Sequence, residues 1–428
     1  SSHFDFITGE QLTVDEIPVE ICELTNLTSL FIMNNDISGV IPECIDELTN
    51  LELLKIYAAD ISGQIPGNIG NLSKLIYLTI SGNGTFTDIT GSIPSTIGGL
   101  TGLKELNLSS NKLTSSIPTG IQYLTSLEEL RLGSNMLTGE IPDFIGNMNN
   151  LTKLDLMNNQ LEGDIPGFIA NMTNLTDLYL SNNQLTGDIP EFIWTLTSLK
   201  NLGLGQLSFI GEIPSDIGNL INMESLDLSD NSYTGDILPE ICNMVNLKHL
   251  WLDNNQFSGQ IPECIGNLSE LTYLFLDNNQ FTGQIPESIC NVIDSQYPTY
   301  YEIENNQLCP SYPECLTEDD VENQDSSECA SLSTLVGIEI PETNFLGQSY
   351  PNPFNPTTTI SYEIAQAGNI QLAVYNLNGQ LIETLVNEYT VPGYYLITWD
   401  GNEVSSGIYF YMLISGEKTF TGEMLLMK

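Results

Sequence analysis

The sequence contains very few basic residues. Ten lysines and arginines stand against 55 aspartates and glutamates, so the formal net charge at pH 7 is −45. Arg131 is the only arginine. A chain this negative repels nucleic-acid phosphates and anionic membrane surfaces, so neither is expected as a partner. The charge instead suits divalent cations, basic partners and solubility in salt.

Residues that carry catalysis are also scarce. The chain has two histidines, His3 and His249, and no glycine-rich loop of the kind that cradles phosphate. Neither a nucleophile with its base nor a metal cluster can be assembled from these residue types, and carboxylates are too numerous to be diagnostic. We therefore expect a protein that is not an enzyme and that has no cofactor, with calcium, discussed below, as the one candidate ion.

Long hydrophobic runs are absent as well. No apolar stretch approaches the roughly 18 residues that a membrane helix needs, so no membrane span is predicted. No signal peptide is found, and the chain begins with Ser1 and not with a methionine. We therefore expect the mature part of a longer precursor.

The dominant feature of the sequence is a repeat of 24 residues, which runs from the N terminus to about Leu316. A clean copy reads LTKLDLMNNQLEGDIPGFIANMTN. Alternation in it places Leu154 and Leu156 on one side of a short strand and Lys153 and Asp155 on the other. One unit cannot bury its apolar side alone, so the repeats must stack. The prolines that mark the period are Pro18, Pro42, Pro66, Pro94, Pro118, Pro142, Pro166, Pro190, Pro214, Pro239, Pro262, Pro286 and Pro313.

The phrase LxGxIPxxIGNLxxL resembles the leucine-rich repeat, and more narrowly the repeat of plant receptor ectodomains and polygalacturonase-inhibiting proteins. The resemblance covers about three quarters of the chain, residues 1–316. It implies an α/β-type leucine-rich-repeat solenoid, with short parallel strands on the concave side and 3-10 turns and loops on the convex side. The function it implies is adhesion or recognition, in which an extracellular protein or glycan binds to the concave face.

The eight cysteines also follow the repeats. Three times, a cysteine in an IC segment is followed by another in the next repeat's PEC segment. The same motif predicts the same pairing three times, and the two remaining cysteines can form a fourth pair. Sequence alone does not fix the connectivity. Full pairing indicates an oxidising compartment. The three expected pairs are Cys22–Cys44, Cys242–Cys264 and Cys290–Cys315, and the pair left over is Cys309–Cys329.

The C-terminal part of the chain has a different composition. Residues 317–340 are acidic and are predicted to be a linker. In residues 341–428, Tyr, Thr, Val and Ile alternate in short runs, and Asn378-Gly379 and Ser415-Gly416 mark hairpin turns. The pattern predicts about seven strands in an all-β, immunoglobulin-like sandwich.

The segments YPNPFNPTTTISYEI, VYNLNGQLIETL and the terminal MLLMK resemble the C-terminal sorting domain of type IX secretion cargo proteins. The resemblance covers essentially all of residues 341–428. It implies the type IX secretion machinery as a partner during export, and an extracellular or outer-surface location. In that family the domain is usually removed on export. A retained domain with exposed strand edges would favour self-association, so the alternative function is a structural subunit of an extracellular filament or surface layer.

Aligned outward positions in the last repeats carry aromatic and acidic side chains. Aromatic faces flanked by carboxylates suit a sugar or a basic peptide, so we predict a ligand-binding patch here. The alternative is that cross-strand aromatic pairs only stiffen this end of the sheet. The predicted patch consists of His249, Trp251, Asp253, Tyr273, Phe275, Asp277 and Tyr300.

A second row is acidic in five successive repeats, at the residue after the glycine of GxIP. Like charges in register repel one another, and oxygen ligands suit calcium, so calcium between coils is one hypothesis. The other is a solvated row, because no loop of EF-hand type is present. The row consists of Glu140, Asp164, Asp188, Glu212 and Asp236.

Overall fold

The chain forms two compact units, Ser1–Cys329 and Ala330–Lys428, which are described separately. One repeat is four residues longer than the others between Asn83 and Pro94, and its sequence predicts an outward loop there. Residues 83–87 of that repeat lie outside the described residues, as do residues 330–340 of the expected linker. The computed structural model describes residues 3–5, 16–82, 88–293, 299–329, 343–390, 393–402, 404–416 and 418–428.

The first unit is a stack of coils, and each coil contributes one strand to a parallel sheet on the concave side. Strands pair one repeat apart, so that Leu154 lies between Leu130 and Leu178. Leu154 and Leu156 are fully buried, whereas Lys153 is partly exposed. The strands are His3–Asp5, Ser29–Val40, Leu53–Gln64, Tyr77–Ile80, Glu105–Asn107, Glu129–Arg131, Lys153–Asp155, Asp177–Tyr179, Asn201–Gly203, Ser225–Asp227, His249–Trp251, Tyr273–Phe275 and Tyr300–Glu302.

A second strand follows in most coils, near the glycine of GxIP. Gly163 has a φ of 84°, in the left-handed region that only glycine enters without steric cost. This glycine therefore sets the corner at which most coils turn to the convex side, and Ser115 takes the same conformation in one of them, with a φ of 70°. The strands are Asp88–Ser92, Lys112–Ser115, Met136–Gly139, Gln160–Gly163, Gln184–Leu185, Ile210–Glu212, Ser232–Thr234, Thr282–Gln284 and Gln307–Cys309.

Short 3-10 helices form the convex side, and most begin directly after the proline of IPxxI. Pro166 has a φ of −73°, close to the value at which its ring is fixed, and Ile169 in the next turn is fully buried. One α-helical turn, Cys290–Ile293, follows the helix Glu287–Ile289. The 3-10 helices are Val19–Glu23, Glu43–Glu47, Ile69–Asn71, Ser95–Gly99, Thr119–Tyr123, Asp143–Asn147, Gly167–Asn171, Glu191–Thr195, Ser215–Asn219, Pro239–Asn243, Glu263–Asn267, Glu287–Ile289, Asp319–Val321 and Ser326–Glu328.

Buried and partly buried asparagines connect successive coils. The side-chain amide of Asn159 donates to the carbonyls of Leu132, Leu156 and Met157 at 3.1, 3.0 and 3.2 Å, and its Oδ1 accepts from the backbone N–H of Leu137 at 3.0 Å. Each asparagine thus satisfies backbone groups that the strands leave unpaired. The asparagines with this role are Asn111, Asn135, Asn159, Asn183, Asn231, Asn255, Asn279 and Asn306.

All four expected disulfides are present, which confirms the predicted pairing. Their Cα atoms lie 5.5 to 6.0 Å apart, and the described residues include no free cysteine. The bonded pairs are Cys22–Cys44, Cys242–Cys264, Cys290–Cys315 and Cys309–Cys329.

The acidic segment after the last repeat packs on the final coil as far as Cys329. The backbone N–H of Asp325 donates to the carbonyl of Asn306 at 2.7 Å, and the side chain of Gln324 donates to the carbonyl of Ile303 at 3.0 Å. Residues 317–329, which the sequence predicts to be linker, therefore belong to the first unit.

The second unit is all-β, as predicted, and its described residues form seven strands in two antiparallel sheets. Ile360 and Trp399 from one sheet and Leu372 and Leu413 from the other share one buried core, which is the arrangement of a β-sandwich. The strands of the first sheet, in spatial order, are Phe345–Leu346, Thr357–Ile364 and Gly393–Asp400, and those of the second are Leu381–Thr390, Gly368–Asn376, Gly407–Ser415 and Lys418–Leu426.

Candidate functional site

The structure aligns the outward residues of the last three repeats as the sequence predicts. His249 pairs with Tyr273, which pairs with Tyr300 in the final coil. In the next column Trp251 pairs with Phe275. Parallel strands in register place these side chains at the strand spacing on one face of the sheet, so the aromatic residues meet on the concave side.

The five rings form one continuous cluster, here named the aromatic patch. The ring of His249 lies 5.1 Å from that of Trp251 and meets that of Tyr273 edge-on at 5.0 Å. Tyr273 stacks on Tyr300 at 5.2 Å and meets Phe275 edge-on at 6.1 Å. These are the stacked and edge-to-face geometries that aromatic pairs prefer. Tyr300 is 62% exposed, so the patch presents ring surface to solvent.

The aromatic patch carries little positive charge. Burial, and then the neighbouring charge of Lys248, lower the pKa of His249, so its imidazole is neutral at pH 7. The ammonium of Lys248 donates to Glu224 at 2.7 Å, and this hydrogen bond raises the pKa of Lys248. Neither His249 nor Lys248 therefore presents an unpaired positive charge to a basic ligand.

Four carboxylates line one side of the patch and are here named the acidic rim: Asp253, Asp277, Glu302 and Glu304. One oxygen of Asp253 accepts from Asn254 at 2.8 Å, whereas its Oδ1 and that of Asp277 are buried and have no hydrogen-bond partner among the described residues. Burial raises the pKa of both aspartates to about 6. Repulsion adds to it, from Asp277 on Asp253 and from Glu302 and Glu304 on Asp277.

The raised pKa of Asp253 makes stability depend on pH. Between the ordinary aspartate pKa of 3.8 and about 6, the native state binds more protons than the unfolded state, so stability falls as pH rises through this window. We expect Asp253→Asn to remove part of that fall and to raise the unfolding free energy at pH 7 by about 1 kcal/mol after allowance for solvent screening. Urea unfolding of the wild type and the variant at pH 4 and pH 7, in buffer without divalent cations, measures both changes in the unfolding free energy.

Asp216→Asn is the matched control for that experiment, because it removes the same charge from an exposed position on the convex side. We expect its pH dependence to equal that of the wild type. If both variants change the pH dependence alike, the effect belongs to net charge and not to burial of Asp253.

The five-residue acidic row near the GxIP glycines is exposed along its whole length. Asp164 accepts a hydrogen bond from Thr186 at 3.3 Å and Asp236 accepts one from Ser258 at 3.1 Å. The described residues contain one group of three carboxylates with ligating oxygens within 4.8 Å of one another, and it lies in the acidic rim: Asp277, Glu302 and Glu304. Calcium binding by the row stays a prediction.

Alignment of the last repeats places Glu302 in the column of Trp251 and Phe275, and Glu304 in that of Asp253 and Asp277. The predicted patch includes the two aspartates but neither glutamate. The signal was available in the alignment of the last coil, because Phe275 pairs with Glu302 and a carboxylate thus replaces a ring at the end of that column. The convergence of three carboxylates depends on side-chain conformations, which the repeat pattern does not specify.

Family models match both units. Models described as leucine rich repeat match residues 26–48, 85–137, 125–171 and 149–206, and one described as the EGF-like domain-containing protein ComC LRR domain matches residues 193–308. The model described as secretion system C-terminal sorting domain matches residues 348–427. The chain is a leucine-rich-repeat protein with a C-terminal sorting domain. Together with the disulfides, the sorting domain identifies this leucine-rich-repeat protein as exported, to the exterior or the cell surface.

Solved structures with a similar fold include plant receptors and a bacterial protein. The PEPR1–AtPEP1 structure is 33% identical, with 70% of this chain and 41% of that chain covered and a TM-score of 0.61. The Arabidopsis receptor kinase HAESA, in complex with the peptide hormone IDA and the co-receptor SERK1, is 28% identical, with 72% and 59% covered and a TM-score of 0.51. An internalin from Listeria monocytogenes is 26% identical, with 65% and 75% covered and a TM-score of 0.53.

This leucine-rich-repeat protein spans about two fifths to three fifths of the length of those plant receptor chains. The plant-type subclass of the repeat stays a prediction. A comparison with curated protein sequences finds no match. In the described part of the chain, no helix is long and apolar enough to cross a membrane.

Proposed function

We propose that this exported leucine-rich-repeat protein acts by binding and not by catalysis, and that it holds a basic peptide segment of an extracellular protein on the aromatic patch and acidic rim. The observation that carries the proposal is the continuous cluster of partly exposed rings from His249 to Tyr300 beside carboxylates with unpaired oxygens.

The chemistry of the two surfaces is complementary to such a peptide. Aromatic rings supply large contact areas at low entropic cost, and they are enriched where binding energy is concentrated. A donor from a lysine or arginine would give the buried Oδ1 of Asp253 the partner it lacks, and an unpartnered buried oxygen is costly. The net charge of −45 would also accelerate the approach of a basic ligand.

The similarity to HAESA supports a peptide over a glycan, because that neighbour's structure is of a complex with a peptide hormone. The acidic rim supports the same choice, since a neutral sugar gains little from unpaired carboxylates, whereas a cationic side chain gains a charge-assisted hydrogen bond. Adhesion through such a contact requires only that the partner be displayed on another surface.

Replacing Trp251 with alanine tests this function. With an array of lysine- and arginine-containing peptides as probes, we expect the full chain to bind a subset and Trp251→Ala to weaken that binding at least tenfold, because a ring at the centre of the patch is lost. Tyr57→Ala is the matched control: Tyr57 is an exposed aromatic residue of the strand Leu53–Gln64, several coils from the patch, so its loss should leave binding unchanged. Fluorescence anisotropy measures both affinities.

Two results would contradict the proposal. One is a wild-type chain that binds no peptide on the array; a parallel glycan array would then show whether the patch binds sugars instead. The other is equal binding by wild type and Trp251→Ala. Ordered polymers of the full chain in light scattering, together with no ligand, would favour the structural-subunit alternative.

A further inference from the structure

Three carboxylates converge at the end of the acidic rim nearest the last coil. A carboxylate oxygen from each of Asp277, Glu302 and Glu304 lies within 4.8 Å of the other two. Among the described residues, none of the three forms an ion pair with lysine, arginine or histidine. Three like charges held this close repel one another strongly. No cationic side chain among the described residues offsets that repulsion.

A second, independent feature shows that a partner is missing. Asp277 is only 5% exposed, and its Oδ1 is buried with no hydrogen-bond partner among the described residues. Its Oδ2 accepts from the side chain of Asn278 at 2.5 Å, which orients the carboxylate. Buried polar atoms in native proteins are nearly always satisfied, and a site for a bound ion is one accepted reason for an exception.

The remaining two ligands come from different environments. Glu304 is partly exposed, and one of its oxygens accepts from the backbone N–H of Ile303 at 3.2 Å, so its position is restrained. Glu302 is exposed at the end of the column that contains Trp251 and Phe275. One of the three carboxylates is buried, one is restrained and one faces solvent. An ion can therefore reach the cluster from solvent.

We propose that Asp277, Glu302 and Glu304 form a calcium site at the C-terminal end of the aromatic patch. Calcium takes six to eight oxygen ligands at about 2.4 Å in flexible geometry, so oxygens that share one ion lie at most about 4.8 Å apart. Magnesium demands shorter, nearly octahedral contacts and gives up its water reluctantly, which this set of carboxylates does not favour. Water would complete the shell. The site goes beyond the proposed function, because it requires no peptide on the patch.

Calorimetric titration of calcium chloride into the chelator-treated full chain tests the site. We expect one ion per chain with a dissociation constant of about 10⁻⁴ to 10⁻³ M, the range of extracellular modules, and a weaker response to magnesium. The double substitution Glu302→Gln with Glu304→Gln should weaken calcium binding at least tenfold. Asp277→Asn should do the same. Since the ion binds only the folded state, calcium should also raise the wild-type melting temperature.

The double substitution Asp164→Asn with Asp188→Asn is the matched control, because it removes two charges from the exposed row and tests calcium binding there as well. We expect it to bind calcium as the wild type does. Trp251→Ala should also keep the calcium affinity, which separates failure of this site from failure of peptide binding. Circular dichroism verifies that every variant is folded.

Three outcomes would overturn the site. The first is no heat and no rise in melting temperature at about 10 mM calcium, well above the expected dissociation constant. In the second, the rim variants bind calcium as tightly as the wild type. In the third, the row variant loses the binding and the rim variants keep it, which would assign the ion to the row.

Discussion

Replacing Asn159 with alanine lowers the unfolding free energy by about 3 kcal/mol, through a lost buried hydrogen-bond network and a small cavity. Its Oδ1 accepts from the backbone N–H of Leu137, and alanine leaves that donor buried without its partner. The carbonyls are better protected: Leu132 also accepts from Asn135, and Leu156 also accepts from Asn183. The orphaned N–H and the lost bonds therefore dominate the cost.

Urea unfolding of the full chain measures this effect, and Asn174→Ala is its control. Asn174 belongs to the same repeat and also donates to the preceding coil, to the carbonyl of Asn149 at 2.9 Å, but it does so at the exposed surface. Water replaces that bond, so we expect a loss below about 1 kcal/mol. Equal losses in the two variants would show that burial does not set the strength of the asparagine network.

The sequence itself interrupts this network, at Ala59 and at Leu207. Leu207 occupies the asparagine position in its coil and is buried. Its own backbone N–H donates to Asn231 of the next coil at 3.2 Å, as does that of Phe209 at 2.9 Å. Asn231 thus still bonds backbone groups of the coil that lacks its own asparagine, and the stack continues. A single interruption is tolerated because each coil shares its bonds with two neighbours.

The period of the repeat made most of the first unit predictable. Once coils stack one repeat apart, position in the repeat determines which residues share a column, so the pairings of His249 with Tyr273 and of Trp251 with Phe275 follow from the alignment. The repeated cysteine motif predicted the disulfide pairs for the same reason, because the cysteines of a pair such as Cys22 and Cys44 occupy neighbouring coils. In the second unit, alternation and two turn signals were sufficient to predict the sandwich.

What the sequence did not reveal depends on three-dimensional detail outside the repeat. The predicted Cys309–Cys329 disulfide ties the acidic segment to the last coil, but the bonds of Gln324 and Asp325 to that coil involve side-chain and backbone groups that no repeat position encodes. The burial of the Oδ1 atoms of Asp253 and Asp277 depends likewise on the side chains around them. Asp253 and Asp277 stand in regular repeats, so the period predicts their columns but not which of their oxygens are buried.

The acidic rim therefore conflicts with stability. Buried carboxylates beside other carboxylates cost free energy in the empty protein, yet the rest of the first unit follows the rules of its repeat closely. Departures from local consistency are expected at functional sites, where a ligand offsets the cost. This contrast within one solenoid, and not the fold itself, is why we propose the last coils as the site of binding.

Close coil-to-coil packing on the convex side leads to a second large effect: Gly120→Ala destabilises the protein by about 3 kcal/mol, because overpacking against backbone forces a shift. A Cβ atom at Gly120 would lie 2.0 Å from the carbonyl oxygen of Ser95 in the preceding coil, so the coils would have to separate. A Cβ at Gly67 would meet nothing within 4 Å.

Gly67→Ala, also on the convex side, is thus the matched control, and we expect it to be neutral or to stabilise by about 0.4–1 kcal/mol through the unfolded chain. Urea unfolding measures the unfolding free energies of both variants. If Gly120→Ala is tolerated as well as Gly67→Ala, the coils can move apart at low cost, and the spacing of the stack is set by its asparagines and leucines and not by the glycines of the convex side.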